Sequence, residues 1–173
     1  MRKLSLTAFV WLILLLSGAQ AFKLENLPFF SSFHIGFVSG VGSGLNFGAT
    51  GKFLPGKLKI GAEIEQLITD VNYSASINAL KYGGLVSYKC SDLITLNGHY
   101  GFIQFQSNKD FAYTDLSNTS YLLSANTAYT GSYWAVSLDY AFDWFSLSPK
   151  YSVNTIQDKG SVTEFDINVS RGL

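Results

Sequence analysis

Apolar residues alternate without exception with small or polar ones along residues 133–143, and this alternation constrains the fold more than any other feature. One set is Trp134, Val136, Leu138, Tyr140 and Phe142; the other is Tyr133, Ala135, Ser137, Asp139 and Ala141. Successive side chains of a β-strand point to opposite faces, so one face of this segment is apolar. The pattern predicts a strand whose apolar face meets lipid or a protein core.

The same alternation recurs along the chain and predicts an all-β fold of eight antiparallel strands. They are expected at residues 31–38, 45–53, 57–68, 76–89, 93–106, 132–142, 145–154 and 161–170. Tight turns are expected at residues 54–56, 90–92 and 143–144, and longer loops at residues 39–44, 69–75, 107–131 and 155–160. Short turns on one side, long loops on the other and an even strand number are typical of an up-and-down transmembrane β-barrel.

The apolar face of the predicted strands carries no charged residue. The polar face carries five basic and five acidic residues, which we expect in the lumen: Lys52, Lys59, Lys81, Lys89, Lys150, Glu63, Glu65, Asp139, Glu164 and Asp166. A central Lys or Arg facing lipid costs about 2–4 kcal/mol, which explains the segregation. Because buried charges need partners, the equal numbers favour a lumen filled by ion pairs over a polar pore. We expect Glu164 or Asp166 to pair with Lys150 on the preceding strand.

Alternation alone does not separate a membrane barrel from a soluble barrel of the lipocalin type, whose apolar face would point inward. Tyrosine and tryptophan at strand ends favour the membrane, where they form an aromatic girdle. The candidates are Tyr88, Tyr100, Trp134, Tyr140, Trp144 and Tyr151. The apolar face from Trp134 to Phe142 rises roughly 27 Å along the strand at ~3.4 Å per residue. At a tilt of about 40° it covers about 20 Å, close to the ~25 Å apolar band of a membrane barrel.

Two features near the third loop depart from the simple pattern. After Phe102 the apolar positions shift to Ile103 and Phe105, which predicts a β-bulge. Residues 120–129 also resemble a strand, and we interpret them as an extension above the membrane that Gly131 interrupts. A ninth spanning strand is the alternative, and it would place the two termini on opposite sides of the membrane.

The third loop is the candidate contact surface, because long loops on a rigid scaffold are where binding usually resides. Its candidate residues are Lys109, Asp110, Phe111, Tyr113 and Asp115. The partner of this surface is not specified by the sequence. Nucleic acid is not expected, because Lys and Arg together number 12, as do Asp and Glu.

The start of the chain is typical of a cleaved secretory signal peptide, expected at residues 1–21. Arg2 and Lys3 precede a mostly apolar stretch at residues 4–16, and Ala19-Gln20-Ala21 provides the small residues of a cleavage site. The strongly apolar residues 8–16 are too few to cross about 30 Å of hydrocarbon as a helix. Residues 22–30 form an N-terminal segment before the barrel domain, residues 31–173.

In these respects the chain resembles small eight-stranded outer-membrane barrels of the OmpA transmembrane-domain and OmpX kind. The resemblance covers residues 31–173 and is carried by the signal peptide, the alternation and the loop asymmetry rather than by a diagnostic motif. It implies insertion into the outer membrane, contact with its lipid, and the barrel assembly machinery as a partner during biogenesis.

No local motif indicates catalysis, a cofactor or a metal site. His34 and His99 are the only histidines, and we expect both in the lumen, within a hydrogen-bond network. Two histidines without a Cys or a carboxylate at ligand spacing make a weak metal site. The leading hypothesis is a non-enzymatic envelope barrel with a structural or surface-contact role. The alternatives are a narrow channel for ions or small solutes, and a soluble periplasmic ligand-binding barrel.

Overall fold

Eight long strands close into an antiparallel barrel, and a separate two-stranded hairpin lies within one of its connections. The computed structural model describes residues 31–52, 57–71 and 75–172. Its strands are β1 (Ser32–Ser39), β2 (Ser43–Lys52), β3 (Leu58–Val71), β4 (Ala75–Lys89), β5 (Ile94–Ser107), β6 (Phe111–Thr114), β7 (Ser120–Leu123), β8 (Ala128–Ala141), β9 (Ser146–Ile156) and β10 (Gly160–Gly172). The predicted signal peptide and N-terminal segment, residues 1–30, lie outside the described residues.

The strand order around the barrel is β1-β10-β9-β8-β5-β4-β3-β2, and β1 closes it by pairing with both β10 and β2. The eight predicted strands are confirmed, although their ends differ by a few residues. The start of β1, the end of β10 and the connections after β2, β4 and β8 share one end of the barrel, called here the terminal end. The remaining connections lie at the opposite end, called here the loop end.

The connections at the loop end are mostly shorter than predicted, because the strands continue further in this direction. Residues 40–42 connect β1 to β2, and residues 157–159 connect β9 to β10. Strand β3 continues to Val71, and β4 begins at Ala75. The connection from β5 to β8 is the long one, and it contains the β6–β7 hairpin. The predicted asymmetry between the two ends therefore depends on this single loop.

The apolar face of the strands points outward. On β3 the large outward apolar side chains are 43–56% exposed, and they are Leu58, Ile60, Ile64 and Ile68. The alternating side chains of Glu63, Glu65 and Leu67 are at most 5% exposed. A soluble barrel would turn its apolar face inward, so the arrangement observed here is that of the membrane alternative.

No helix long and apolar enough to cross a membrane occurs within residues 31–52, 57–71 and 75–172.

The predicted β-bulge after Phe102 is wrong. The pairing of β5 with β4 and with β8 keeps a constant register through residues 102–106. Ile103 and Phe105 point into the barrel and are 4% and 5% exposed. The apparent change of phase therefore reflects a change in the chemistry of the lumen, which becomes apolar toward the loop end.

The predicted interruption at Gly131 is also wrong, because β8 runs through this residue without a break. A Cβ atom at this position would lie 2.1 Å from the carbonyl oxygen of Thr155, so the glycine allows close approach of β9. Residues 120–123 form β7, which pairs with β6 and not with the barrel. The ninth spanning strand is thereby excluded.

Candidate functional site: the barrel interior

The interior of the barrel has three levels. A polar cavity lies in the half nearer the terminal end, and an apolar cavity lies in the half nearer the loop end. Between them is a group of side chains called here the charge cluster, which consists of His34, Glu63, Glu65, Lys81, His99, Tyr133, Lys150 and Glu164. The inward half of the two-residue alternation supplies these side chains.

Two ion pairs of the charge cluster cross the lumen. Lys150 on β9 places its Nζ 2.9 Å from Oε2 of Glu65 and 3.5 Å from Oε2 of Glu63, both on β3. Lys81 on β4 pairs with Glu164 on β10. In the strand order, β9 and β3 are four strands apart, and so are β4 and β10. Each pair therefore joins opposite walls of the eight-stranded barrel.

The predicted pairing of Lys150 with Glu164 or Asp166 is wrong. Asp166 lies directly across from Lys150 in the β9–β10 register, but neither of its carboxylate oxygens has a hydrogen-bond partner within the described residues. Glu164 pairs with Lys81 instead. The physical reason is that an inward lysine is long enough to span the narrow lumen, so the opposite wall competes with the neighbouring strand.

Tyr133 fills the centre of the charge cluster and is 1% exposed. Its hydroxyl donates a hydrogen bond of 2.6 Å to Oε1 of Glu63. The Nζ atoms of Lys81 and Lys150 lie 5.5 Å and 5.8 Å from the centre of its ring, within the range of cation–π attraction. The ring and the two crossing ion pairs together separate the polar cavity from the apolar cavity.

His99 lies between a carboxylate of the charge cluster and a serine, which is the Ser–His–acid order of serine hydrolases. Its Nδ1 lies 2.9 Å from Oε2 of Glu63, and its Nε2 lies 3.0 Å from Oγ of Ser137. No local motif could have indicated this arrangement, because the three residues come from three strands. Ser137 is 6% exposed, and its hydroxyl also accepts a hydrogen bond from Nδ2 of Asn97.

The chemistry of this Ser–His–Glu arrangement is limited by its setting. A Ser–His–acid hydrolase stabilises the oxyanion with free backbone N–H groups beside the serine. Ser137 pairs with Asn97 on one side and with Lys150 on the other, so the sheet ladder uses the backbone N–H groups here. The polar cavity in front of it has a volume of about 50 Å³, which is space for a few water molecules.

The other predicted lumen charges whose side chains the structure describes lie outside the charge cluster. Asp139 accepts a hydrogen bond from Ser148 near the terminal end. Lys59 is half-buried, and the side chain of Lys52 is outside the described residues. Lys89 pairs at 2.7 Å with the fully exposed Asp92 in the β4–β5 turn, where this bond lowers the pKa of the Asp92 carboxyl. Five of the ten predicted lumen charges are buried: Glu63, Glu65, Lys81, Lys150 and Asp166.

All six residues predicted for the aromatic girdle point outward and are 39–65% exposed. Tyr88, Tyr140 and Trp144 lie near the terminal end, and this agrees with their predicted position at the ends of strands. The others are near the middle of their strands, and Tyr100, for example, is the seventh of the 14 residues of β5. Trp134 differs from the prediction because β8 begins four residues earlier than expected. Tyr100 and Tyr151 are central in the predicted strands 93–106 and 145–154 as well, so their assignment to strand ends was wrong.

The apolar cavity has a volume of about 40 Å³ and reaches the loop end. Leu67, Ile103 and Phe105 form part of its barrel wall, and each is at most 5% exposed. The β6–β7 hairpin covers it with the side chains of Phe111, Tyr113 and Leu123. Phe111 and Tyr113 were predicted to belong to the contact surface, and this is wrong because they face the lumen.

The β6–β7 hairpin is held over the mouth of the barrel by contacts with the β9–β10 turn. The hydroxyl of Tyr113 donates a hydrogen bond to the carbonyl oxygen of Lys159, and Nζ of Lys159 donates one of 3.0 Å to the carbonyl oxygen of Leu122. The backbone N–H of Leu116 donates to the carbonyl oxygen of Ser161 at 2.9 Å. Burial and the nearby Asp115 raise the pKa of Tyr113 to about 12.

The turn of the hairpin is organised by Asp115. Its Oδ1 accepts hydrogen bonds from the backbone N–H groups of Ser117 and Thr119, at 2.9 Å and 2.8 Å. The hydroxyl of Ser117 donates a third at 2.7 Å, and these bonds lower the pKa of the Asp115 carboxyl. Asn118 adopts the left-handed conformation that such a tight turn requires.

No family model and no curated protein sequence matches this chain. Solved structures do share its architecture. The N-terminal β-barrel domain of Pseudomonas aeruginosa OprF is 9% identical, with a TM-score of 0.54, and the match covers 83% of this chain and 98% of that one. The chain has the fold of a small outer-membrane β-barrel.

Two further outer-membrane barrels support the same conclusion. Neisserial surface protein A is 9% identical, with a TM-score of 0.52, and the match covers 83% of this chain and 96% of that one. Ail of Yersinia pestis is 12% identical, with a TM-score of 0.51 and coverage of 83% and 97%. The predicted resemblance to small outer-membrane barrels is confirmed at the level of fold, and identities this low carry no specific role across.

Proposed function

We propose that this chain is a non-enzymatic protein of the outer membrane whose closed barrel holds the β6–β7 hairpin at the cell surface for a structural or contact role. The observation that carries the proposal is the charge cluster, which blocks the lumen with two ion pairs between opposite walls and the ring of Tyr133. A barrel with a blocked centre serves as an anchor, and its outer connections supply the surface that partners meet.

The orientation follows from the connections. Outer-membrane barrels keep short turns on the periplasmic side, where the termini also lie, and longer loops outside. The terminal end therefore faces the periplasm and the loop end faces the exterior. Lipid contacts the outward apolar side chains, and the barrel assembly machinery inserts the chain.

The contact surface of this proposal is the outer face of the hairpin and its flanks. Leu116 and Leu122 are 59% and 54% exposed, although they lie beyond the strands that face lipid. Lys109 and Asp110 are exposed just before β6, and Asp110 also accepts a hydrogen bond of 2.7 Å from the backbone N–H of Ala125. A rigid hairpin with exposed leucines and flanking charges fits a protein partner better than a small solute.

A narrow channel is the second candidate, and the two separate cavities argue against it. Their volumes are about 40 and 50 Å³, and the charge cluster lies between them. Ions passing through would have to break buried ion pairs, which is strongly unfavourable.

Fractionation of cells that express the chain tests its location and the soluble alternative. We expect the protein to sediment with outer membranes, to resist extraction by alkaline carbonate and to migrate faster on gels before boiling than after. These results follow from an outward apolar face and a barrel that stays folded in detergent. Release by carbonate without detergent would contradict the membrane location.

The non-enzymatic part of the proposal is tested at Ser137. We expect a fluorophosphonate probe to leave the folded protein in lipid vesicles unlabelled, because the serine is buried and lacks an oxyanion hole. Mass spectrometry of the intact protein measures labelling, and Ser137→Ala is the matched control. Labelling of the wild type that disappears in S137A and in His99→Gln would contradict the proposal.

A further inference from the structure

Asn154, at the floor of the apolar cavity, is a polar side chain without a partner. It is 1% exposed, and neither its amide nitrogen nor its amide oxygen has a hydrogen-bond partner within the described residues. It lines the cavity at the level of Tyr133 and Val162, its neighbours on β8 and β10. Buried amides are nearly always hydrogen-bonded, so this one is suited to a molecule that offers both a donor and an acceptor.

The rest of the cavity wall specifies an apolar, uncharged molecule. Most of the lining is aliphatic or aromatic, as with Leu67, Ile103 and Phe105. Glu164 also lines the cavity, but its carboxylate is paired with Lys81, so it presents no free charge to an occupant. A charged ligand would therefore lose its hydration without gaining an opposite charge.

The size and position of the cavity specify a narrow molecule. A volume of about 40 Å³ holds only the first few non-hydrogen atoms of a chain, since one water-sized occupant needs about 10–15 Å³, so the rest of a longer chain lies beyond the cavity. Residues 40–42 at the β1–β2 turn line the cavity together with the hairpin, so it extends to the loop end. A straight chain can place its polar end at Asn154 and continue toward the loop end between these two elements.

We propose that the apolar cavity binds a straight-chain aliphatic molecule with a neutral terminal hydroxyl or amide, whose polar end hydrogen-bonds the side chain of Asn154. This binding site is independent of the surface contact proposed above and does not require an open lumen. The site would explain why half of the lumen is apolar, since the charge cluster alone is sufficient to close the barrel.

The probe is 1-hexanol, added to the full-length protein in lipid nanodiscs with methyl-labelled Ile, Leu and Val, and n-hexane is the comparison. We expect saturable NMR shifts at Ile103, Leu123 and Val162, which line the cavity, and at least tenfold weaker binding of hexane. A linear response to hexanol, equal to that of the lipid-facing Ile60 and Ile64, would show partition into the bilayer and overturn the proposal.

Asn154→Leu keeps the volume of the side chain and removes its hydrogen bonds, so hexanol binding should fall about tenfold while hexane binding stays the same. Ala79→Leu fills the cavity from the β4 wall and should abolish binding of both probes. The matched control is Ser152→Ala, a buried position on the same strand that does not line the cavity, and it should bind as the wild type does.

Faster gel migration before boiling shows that each variant is folded. If folded N154L binds hexanol as tightly as the wild type, the role of Asn154 is wrong. If water remains hydrogen-bonded to the Asn154 amide at the highest hexanol concentration, as water–amide NOEs would show, the cavity holds water only and the proposal is overturned.

Discussion

Gly83 and Gly101 face each other on β4 and β5, and the lack of side chains there makes room for Tyr133 on β8. A Cβ atom on Gly101 would lie 2.6 Å from Cα of Gly83 and 2.9 Å from Cε1 of Tyr133. The alternation places all three residues on the polar face of their strands, so their inward direction could be predicted. Their mutual contact could not, because it depends on how the closed barrel brings β5 and β8 together.

We expect Gly101→Ala to destabilise the barrel by about 1–3 kcal/mol, because the added methyl group would lie 2.2 Å from the carbonyl oxygen of Tyr82 and would also crowd Gly83 and Tyr133. The matched control is Gly98→Ala on the same strand, where a Cβ atom meets nothing within 4 Å. Urea unfolding from lipid vesicles, followed by tryptophan fluorescence, measures both. Equal stabilities of G101A and G98A would show that Gly101 is not packed against β4 and Tyr133 as described.

The β6–β7 hairpin is the element that the sequence predicted least well. Local alternation was sufficient for the eight barrel strands, because each faces lipid on one side. It misled at Ile103 and Phe105, because inward apolar residues that meet the hairpin look the same in sequence as outward residues that meet lipid. The position of the hairpin depends on the contact between Tyr113 and Lys159. These two residues are 46 positions apart in the chain, so no local pattern encodes their contact.

Docking of the hairpin over the barrel should depend on pH. Tyr113 has a folded pKa of about 12, against about 10 in the unfolded chain. Its contribution to docking is therefore fully present below pH 10 and is lost as the pH rises toward 12, because the ionised phenol no longer donates to Lys159. The difference in absorbance at 295 nm between the wild type and Tyr113→Phe should show one ionisation centred near pH 12. A centre near pH 10 would show that Tyr113 is not buried under a docked hairpin.

For the molecule as a whole, the crossing ion pairs are what make the interior closed. The alternation predicted that Lys81 and Lys150 face the lumen, and both are buried there. The partners predicted for Lys150 were wrong, because a sequence indicates which strands are neighbours but not the diameter of the barrel. Lys150 and Lys81 each reach an acid four strands away. A wider barrel with the same alternation would leave these charges apart and its lumen open.

Single-channel recording in planar bilayers tests this closure most directly. We expect no unitary conductance steps from the wild type, nor from Tyr82→Ala, which removes an outward tyrosine that is 47% exposed. The double variant Tyr133→Ala with Lys81→Ala removes the central ring and one crossing pair, so it should join the two cavities and conduct in regular steps. Regular steps from the wild type, as large as those of the double variant, would contradict the closed lumen.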